Sequence, residues 1–202
     1  VYVPAHFDAS DPAFCHAVIR GSPFAPLVMA GTASHLPFLL DADRGPLGTL
    51  VAHVAAASPH ADAALAGAPA LVLFTGAHAY VSPSWYQVAP AVPTWNYCAV
   101  HVHAVPRPLD DGATRAYLDQ LATTFDTSGW RLSTQPAEYQ TKMLRGIVAF
   151  ELPIDRLEGK AKLSQNRSAA DRDGVIAALE RSLVSTDHDV AAWMRGKPRG
   201  KR

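Results

Sequence analysis

The sequence predicts an α+β protein built on a small antiparallel β-barrel. Short apolar segments bounded by Gly, Pro, Asp or Ser fill the first half, while helical periodicity appears mainly after position 110. No βαβ alternation is visible, and neither GxGxxG after a strand nor GxxxxGK[ST] occurs, which excludes the common parallel nucleotide-binding folds.

Each element follows from local pattern. Strands are expected at Phe24–Ala30, His35–Asp41, Leu47–Val54, Ala70–Phe74 and Ala99–Val105. The last alternates cleanly, so His101 and His103 share one face and Val100 and Val102 the other. Pro59 interrupts the Ala-rich stretch from Val54 to Ala66, so a turn and then a short helix from His60 are expected. Asp110-Asp111 caps a helix through Phe125, with Tyr117, Leu121 and Phe125 on its apolar side. A short helix over Pro136–Leu144 stops at Gly146, and Ile147–Leu152 returns to strand. Ser168 caps a helix through Val184 with a stripe of Val175, Ile176, Leu179 and Leu183, and Ala191–Met194 extends the helical end. Residues 1–194 read as one domain with mostly C-terminal helices, and 195–202 as a disordered basic tail.

Composition narrows the function classes. The chain has 202 residues, 49% of them hydrophobic, enough for a sizeable core. Its 18 basic and 18 acidic residues cancel, but the balance is uneven. Only Arg20 and Arg44 are basic before position 107, whereas the last eight residues carry five basic groups and no acid. The body is therefore acidic and a poor general polyanion binder, and DNA contact is expected only through the tail. No run approaches the ~18 apolar residues of a spanning helix, and the first residues lack a signal-peptide layout, so a cytoplasmic location is expected. Cys15 and Cys98 make neither a disulfide framework nor a CxxC pair. Nine histidines occur without HExxH or Cys/His zinc spacing, so no metal site is expected. Ser82 and Ser84 lie in SPS rather than a GxSxG elbow, and no catalytic residue is assigned.

Three clusters carry chemistry. His78-Ala-Tyr80-Val-Ser82-Pro-Ser84-Trp85-Tyr86 and Thr94-Trp95-Asn96-Tyr97 combine flat aromatic faces with uncharged hydrogen-bonding groups, a composition suited to a planar heteroaromatic ligand. An aromatic subunit interface or a corner of the core is the alternative. Lys160, Lys162, Ser164, Gln165, Asn166 and Arg167 precede the helix capped by Ser168, a setting suited to an anion such as phosphate, or else a solvated turn.

These words, with Tyr2-Val-Pro-Ala-His-Phe7, His35-Leu-Pro-Phe-Leu-Leu-Asp41 and Arg156-Leu-Glu-Gly-Lys160, resemble the PaiB-like family of FMN-binding negative transcriptional regulators, in family order from residue 2 to about 185. The resemblance implies a split β-barrel of the pyridoxamine-phosphate-oxidase-like kind, forming a homodimer with FMN at the subunit interface. It implies cofactor contacts from His35, His53, Ser58, Tyr80, Ser82, Trp85, Thr94, Trp95, Asn96, Lys162, Gln165, Asn166 and Arg167. One departure stands out. Where the family shows Ala-Arg-Ala-Asn-Pro-His, this chain reads Ala55-Ala56-Ala57-Ser58-Pro59-His60, so Ala56 replaces Arg and Ser58 replaces Asn. An Arg facing the FMN phosphate would contribute roughly 1.5–3 kcal/mol, and its loss predicts weaker binding. The expected function is negative transcriptional regulation by an FMN-binding dimer. The alternatives are an FMN-dependent oxidoreductase and a haem-binding split barrel using His101 or His103.

Overall fold

The computed structural model describes residues 2–197. In chain order its main elements are α1 (Pro12–Gly21), β1 (Phe24–Met29), β2 (Thr32–Pro37), β3 (Leu39–Asp41), β4 (Thr49–Ala55), α2 (Pro59–Leu65) and β5 (Ala70–Val81). There follow β6 (Thr94–Ala104), β7 (Arg107–Pro108), α3 (Asp111–Phe125), α4 (Ala137–Arg145), β8 (Ile147–Lys162), α5 (Ala169–Glu180) and α6 (Ser185–Met194). The strands are ordered β2-β1-β5-β6-β8-β4-β3, with β7 also on β8. The residues group into two compact units: 2–22, 74–101 and 157–197 form unit 1, and Pro23–Leu73 with Val102–Arg156 forms unit 2. The strands β5, β6 and β8 each contribute residues to both.

Unit 2 begins with a hairpin whose register sets Met29 against Thr32. Its two-residue loop, Ala30-Gly31, has φ of 48° and 78°. Two positive φ values are what a type I′ turn needs to match the twist of its strands, and Gly31 adopts one of them without a Cβ penalty. The expected strand His35–Asp41 is divided at Phe38, whose N–H turns to the Pro23 carbonyl at 2.8 Å. Asp110 caps α3 through the Ala113 N–H at 2.8 Å. Tyr117 on that helix is buried with Leu39 and Ala149, and Val51, Leu109, Leu118 and Leu121 pack around them. Ser58, with Pro59 at the first helical position, caps α2, so that helix starts one residue before the expected His60.

Unit 1 contains a helix the sequence reading passed over. In α1, Asp11 accepts from the Phe14 N–H at 3.0 Å and Pro12 opens the helix. Its Cys15, Val18 and Ile19 are buried. Along β6, Asn96, Cys98 and Val100 alternate inward with outward Trp95 and Tyr97, extending the expected alternation back to Thr94. The α5 helix ends at Glu180, short of the expected Val184, and Leu183 is fully exposed rather than on the buried stripe. The expected tail starts inside the described residues: Arg195 ends α6 and holds Glu180 through two bonds of 2.8 and 3.1 Å. Residues 198–202 lie outside the described residues.

Two glycines permit close backbone approaches in unit 1. A Cβ on Gly159 would stand 2.1 Å from the Ala9 carbonyl oxygen, and one on Gly174 would stand 2.2 Å from the Trp85 carbonyl oxygen. Backbone cannot yield as a flexible side chain can. Gly159→Ala is therefore expected to lower stability by about 1–3 kcal/mol or more, read as an earlier urea midpoint with an unchanged slope.

Candidate functional site

The expected site residues fall into two sets. Unit 1 gathers Tyr80, Ser82, Trp85, Thr94, Trp95, Asn96, Lys162, Gln165, Asn166 and Arg167, and unit 2 holds His35, His53 and Ser58.

An open aromatic surface in unit 1 surrounds Trp95, which is 53% exposed. Tyr80 meets it edge-on at a centroid distance of 6.2 Å, and the His78 ring lies 6.3 Å away. These positions are outward because buried residues in β5 change parity, from Ala70, Val72 and Phe74 to Ala79 and Val81. Lys162 stands beside Trp95, its Nζ donating to the Thr94 hydroxyl and, at 3.0 Å, to the Trp95 carbonyl. Burial pulls its pKa below the ordinary lysine value. Lys160, two residues earlier on β8, stands 5.5 Å from the centre of the Tyr97 ring and donates to the Tyr2 carbonyl.

Other members of the set are committed to structure. Asn96 is buried, donating to the Ser164 hydroxyl at 2.9 Å. Gln165 closes its own turn, accepting from the Leu163 N–H and donating to the Ala161 carbonyl. Ser82 bonds Ser84 and opens the 3₁₀ turn Pro83–Trp85. Arg167 lies 4.4 Å over the Tyr86 ring, and Asn166 is exposed in the turn before α5. The N-terminus of α5, expected to receive a phosphate, already has a carboxylate. Asp171 in its first turn accepts from the Gln87 and Val88 N–H groups at 2.7 and 3.2 Å. Burial works against its charge, but these bonds, with those from Ser168 and the nearby Arg167, hold its pKa low.

In unit 2, His35 is exposed on β2 with its ring stacked on Phe24, and Ser58 is spent as the α2 cap. The departure at Ala56 leaves an exposed methyl beside that cap. Just inside it, His60 is buried and contacts Ser34 at 2.7 Å, Thr32 at 2.9 Å and the Met29 carbonyl at 3.3 Å, tying α2 to the β1–β2 hairpin. Arg44 is engaged by Glu151 at 3.0 Å and Asp41 at 3.7 Å.

Unit 2 also contains an open, mainly apolar groove of about 590 Å³ that sequence reasoning missed. Leu121 and Phe125 of α3, Trp130, and Tyr139 and Met143 of α4 line it, with His53 among them. The His53 Nδ1 lies 3.0 Å from the buried Tyr117 hydroxyl. Burial lowers the His53 pKa and raises that of Tyr117, so both are neutral near pH 7.

Both cysteines are buried, and burial lifts Cys15 to about 11 and Cys98 to about 12, so neither is a thiolate nucleophile near neutrality. Among the described residues, no three His, Cys, Asp or Glu side chains gather to hold a metal, and no helix is long and apolar enough to cross a membrane.

A model of the family described as "Putative FMN-binding domain" matches residues 1–156. The chain belongs to that FMN-binding family. An uncharacterized protein of Emericella nidulans is 34% identical over 198 residues, covering 79% of this chain and 78% of the relative. Protease synthase and sporulation protein PAI 2 of Bacillus subtilis is 28% identical over 207 residues, covering 98% of each. A FAD and heme binding protein from Mycobacterium smegmatis has the same fold, with a TM-score of 0.59 at 22% identity over 85% of this chain and 79% of that one. The expected split-barrel fold and the flavin cofactor of the FMN-binding family are thus borne out. The donor set suits a flavin: exposed aromatic faces beside a lysine ammonium and a hydroxyl answer a planar ring that carries a phosphate.

The His53 environment makes a pH prediction. Its folded pKa lies below 6.5, so on acidification the unfolded chain takes up this proton first and stability declines below pH 6.5. His53→Gln is expected to lose less melting temperature than wild type between pH 7.5 and 5.5, measured by thermal scans in matched buffers.

Proposed function

We propose that this protein is an FMN-binding homodimer that acts as a negative transcriptional regulator. The observation that carries the cofactor half is the placement of Lys162 and Thr94 against the exposed Trp95 and Tyr80. In this reading Trp95 and Tyr80 meet the flavin ring, and Lys162 and Thr94 bind its phosphate. The regulatory half rests on likeness to PAI 2, whose name concerns protease synthesis and sporulation, over nearly the full length of both chains. Bound FMN would supply hydride or one-electron chemistry. The residues around it bind, orient and exclude water.

The cofactor half is tested by titrating FMN and riboflavin against wild type, Lys162→Gln and Ala56→Arg, following flavin fluorescence. Removing a charge-assisted bond is expected to weaken FMN roughly tenfold to a hundredfold and leave riboflavin, which lacks the phosphate, unchanged. With the phosphate on Lys162 and Thr94, Ala56→Arg is expected to leave both affinities unchanged, and a gain of about tenfold for FMN alone would place the phosphate at the turn of residue 56 instead. Equal losses for both flavins in Lys162→Gln would place the phosphate elsewhere. Sedimentation should give twice the chain mass. Chromatin immunoprecipitation of the tagged protein in its host should recover discrete operators, and a tail deletion at 195 should reduce that recovery.

A second reading, an FMN-dependent oxidoreductase, is favoured by one observation: the apolar groove in unit 2 has room for a small organic substrate. Turnover of NAD(P)H by FMN-loaded protein would support it. The haem reading is not carried forward, because His101 pairs with Glu158 at 3.7 Å and the His103 ring nitrogens lie 3.0 and 3.2 Å from Arg156.

A further inference from the structure

We propose that the groove in unit 2 is a binding site for an uncharged, planar aromatic molecule carrying one hydrogen-bond acceptor, such as an aryl carbonyl compound, and that its occupant is not FMN. The size is appropriate: about 590 Å³ lies within the range of small-molecule sites. Three large aromatic residues on its lining, Phe125, Trp130 and Tyr139, are 42–47% exposed, so apolar surface faces water until a ligand covers it.

The polar groups set the ligand's chemistry. Tyr117 is buried, and its hydroxyl has the His53 Nδ1 as its hydrogen-bond partner. If that hydroxyl accepted from Nδ1–H, its own hydrogen would be buried without an acceptor, so the hydroxyl donates. A neutral imidazole accepting at Nδ1 carries its hydrogen on Nε2. That second nitrogen has no partner among the described residues, yet it is not sealed among the buried unpaired atoms. The groove therefore presents the His53 Nε2–H as a neutral donor on a mainly apolar wall, whose other polar groups are the Asp126 carboxylate, the Trp130 indole N–H and the Tyr139 hydroxyl.

Charge decides what is excluded. Asp126 lines the same groove, and its carboxylate accepts from the Ser128 N–H and hydroxyl at 2.8 and 2.6 Å. Those bonds, with smaller help from the Trp130 N–H and the nearby Arg131 guanidinium, hold its pKa below the usual carboxylate value, so the carboxylate stays negative. An anionic ligand is repelled. FMN fits poorly for the same reason, since its phosphate is anionic and the pyrimidine edge of its ring needs several polar partners. The inference requires that FMN binds outside this groove, as in the site proposed at Lys162 and Trp95.

The test uses coumarin, naphthalene and 2-naphthoate as probes in ligand-observed NMR titrations of the full chain. Coumarin has a flat ring and a carbonyl, naphthalene lacks the acceptor, and naphthoate adds a negative charge. Coumarin is expected to bind about fivefold to tenfold tighter than naphthalene, the worth of one hydrogen bond, and naphthoate to bind weakest. His53→Phe should remove coumarin's advantage while naphthalene still binds. Leu121→Trp, or Met143→Trp should the first fail to fold, fills the groove and should abolish coumarin binding. Saturating FMN should leave the coumarin affinity unchanged. Equal binding of coumarin and naphthalene, or coumarin binding that survives a filled groove, overturns the proposal. Displacement of coumarin by FMN does so too, because it would make the groove the flavin's own seat. The flavin titrations of Lys162→Gln are read separately, so failure of one reading leaves the other standing.

Discussion

Side-chain alternation along β5, β6 and β8 governs which groups can reach a ligand. In an extended strand each residue opposes the face of its neighbour, so burying one set exposes the other. On β6 the inward positions are Asn96, Cys98, Val100, Val102 and Ala104, leaving Trp95 outward. The β5 strand serves the same surface only because its inward parity changes between Phe74 and Ala79, which turns His78 and Tyr80 out. A similar change occurs on β8, where Phe150, Leu152 and Ile154 give way to Leu157, Gly159 and Ala161. Without it, Lys160 and Lys162 would belong to the buried parity. The proposed binding chemistry thus depends on where two strands, β5 and β8, change step beside the unbroken alternation of β6.

Hydrogen-bond accounting then separates ligands from scaffold. Polar residues clustered in sequence look equally available, but a buried polar atom needs a partner and commonly finds it in the protein. Asn96, Ser82 and Gln165 all satisfy that need locally or with a neighbouring segment. Asp171 does so for the segment after the aromatic turn, capturing two backbone N–H groups and setting a negative charge in the first turn of α5 that disfavours an external anion there. What remains for a flavin is a short list, in which outward aromatic faces and Lys162 dominate.

Strands were legible where alternation was strict, as from Ala99 to Ala104, and helices where a cap preceded a stripe, as at Asp110 and Ser168. The α1 helix was not, although Asp11-Pro12 is a clear opening and Cys15, Val18 and Ile19 form a buried stripe, because it is only 10 residues long and runs almost directly into the apolar segment that starts at Phe24. Strand ends were underestimated because glycine at 76 and proline at 153 look like stops, whereas β5 and β8 continue through both. Of the site, the aromatic cluster could be read from composition. The groove could not, since its lining comes from residues between Pro37 and Ile147 that share no local word. His53 was chosen by family position, and only the fold shows its contact with Tyr117.

The uneven charge noted in the sequence acquires a physical meaning from these contacts. Of the two basic residues before position 107, Arg44 is held by Glu151 and Asp41, and Arg20 lies on α1 in unit 1, whereas the turn where Ala56 replaces the family arginine belongs to unit 2. A phosphate near that turn would find an alanine methyl and a serine already committed to its helix cap. The cations with exposed neighbours suited to a flavin are Lys160 and Lys162, and both belong to unit 1. If Lys162 binds the phosphate as proposed, a chain that loses an arginine in one unit and keeps lysines among aromatics in the other has moved its anion-binding capacity rather than discarded it. Lysine is a point charge on a flexible stem and cannot form the arginine's two parallel bonds. Cofactor selectivity should then rest more on stacking against Trp95 and Tyr80 than on phosphate geometry, a balance that brings the affinities of FMN and riboflavin closer together than an arginine-bearing site would.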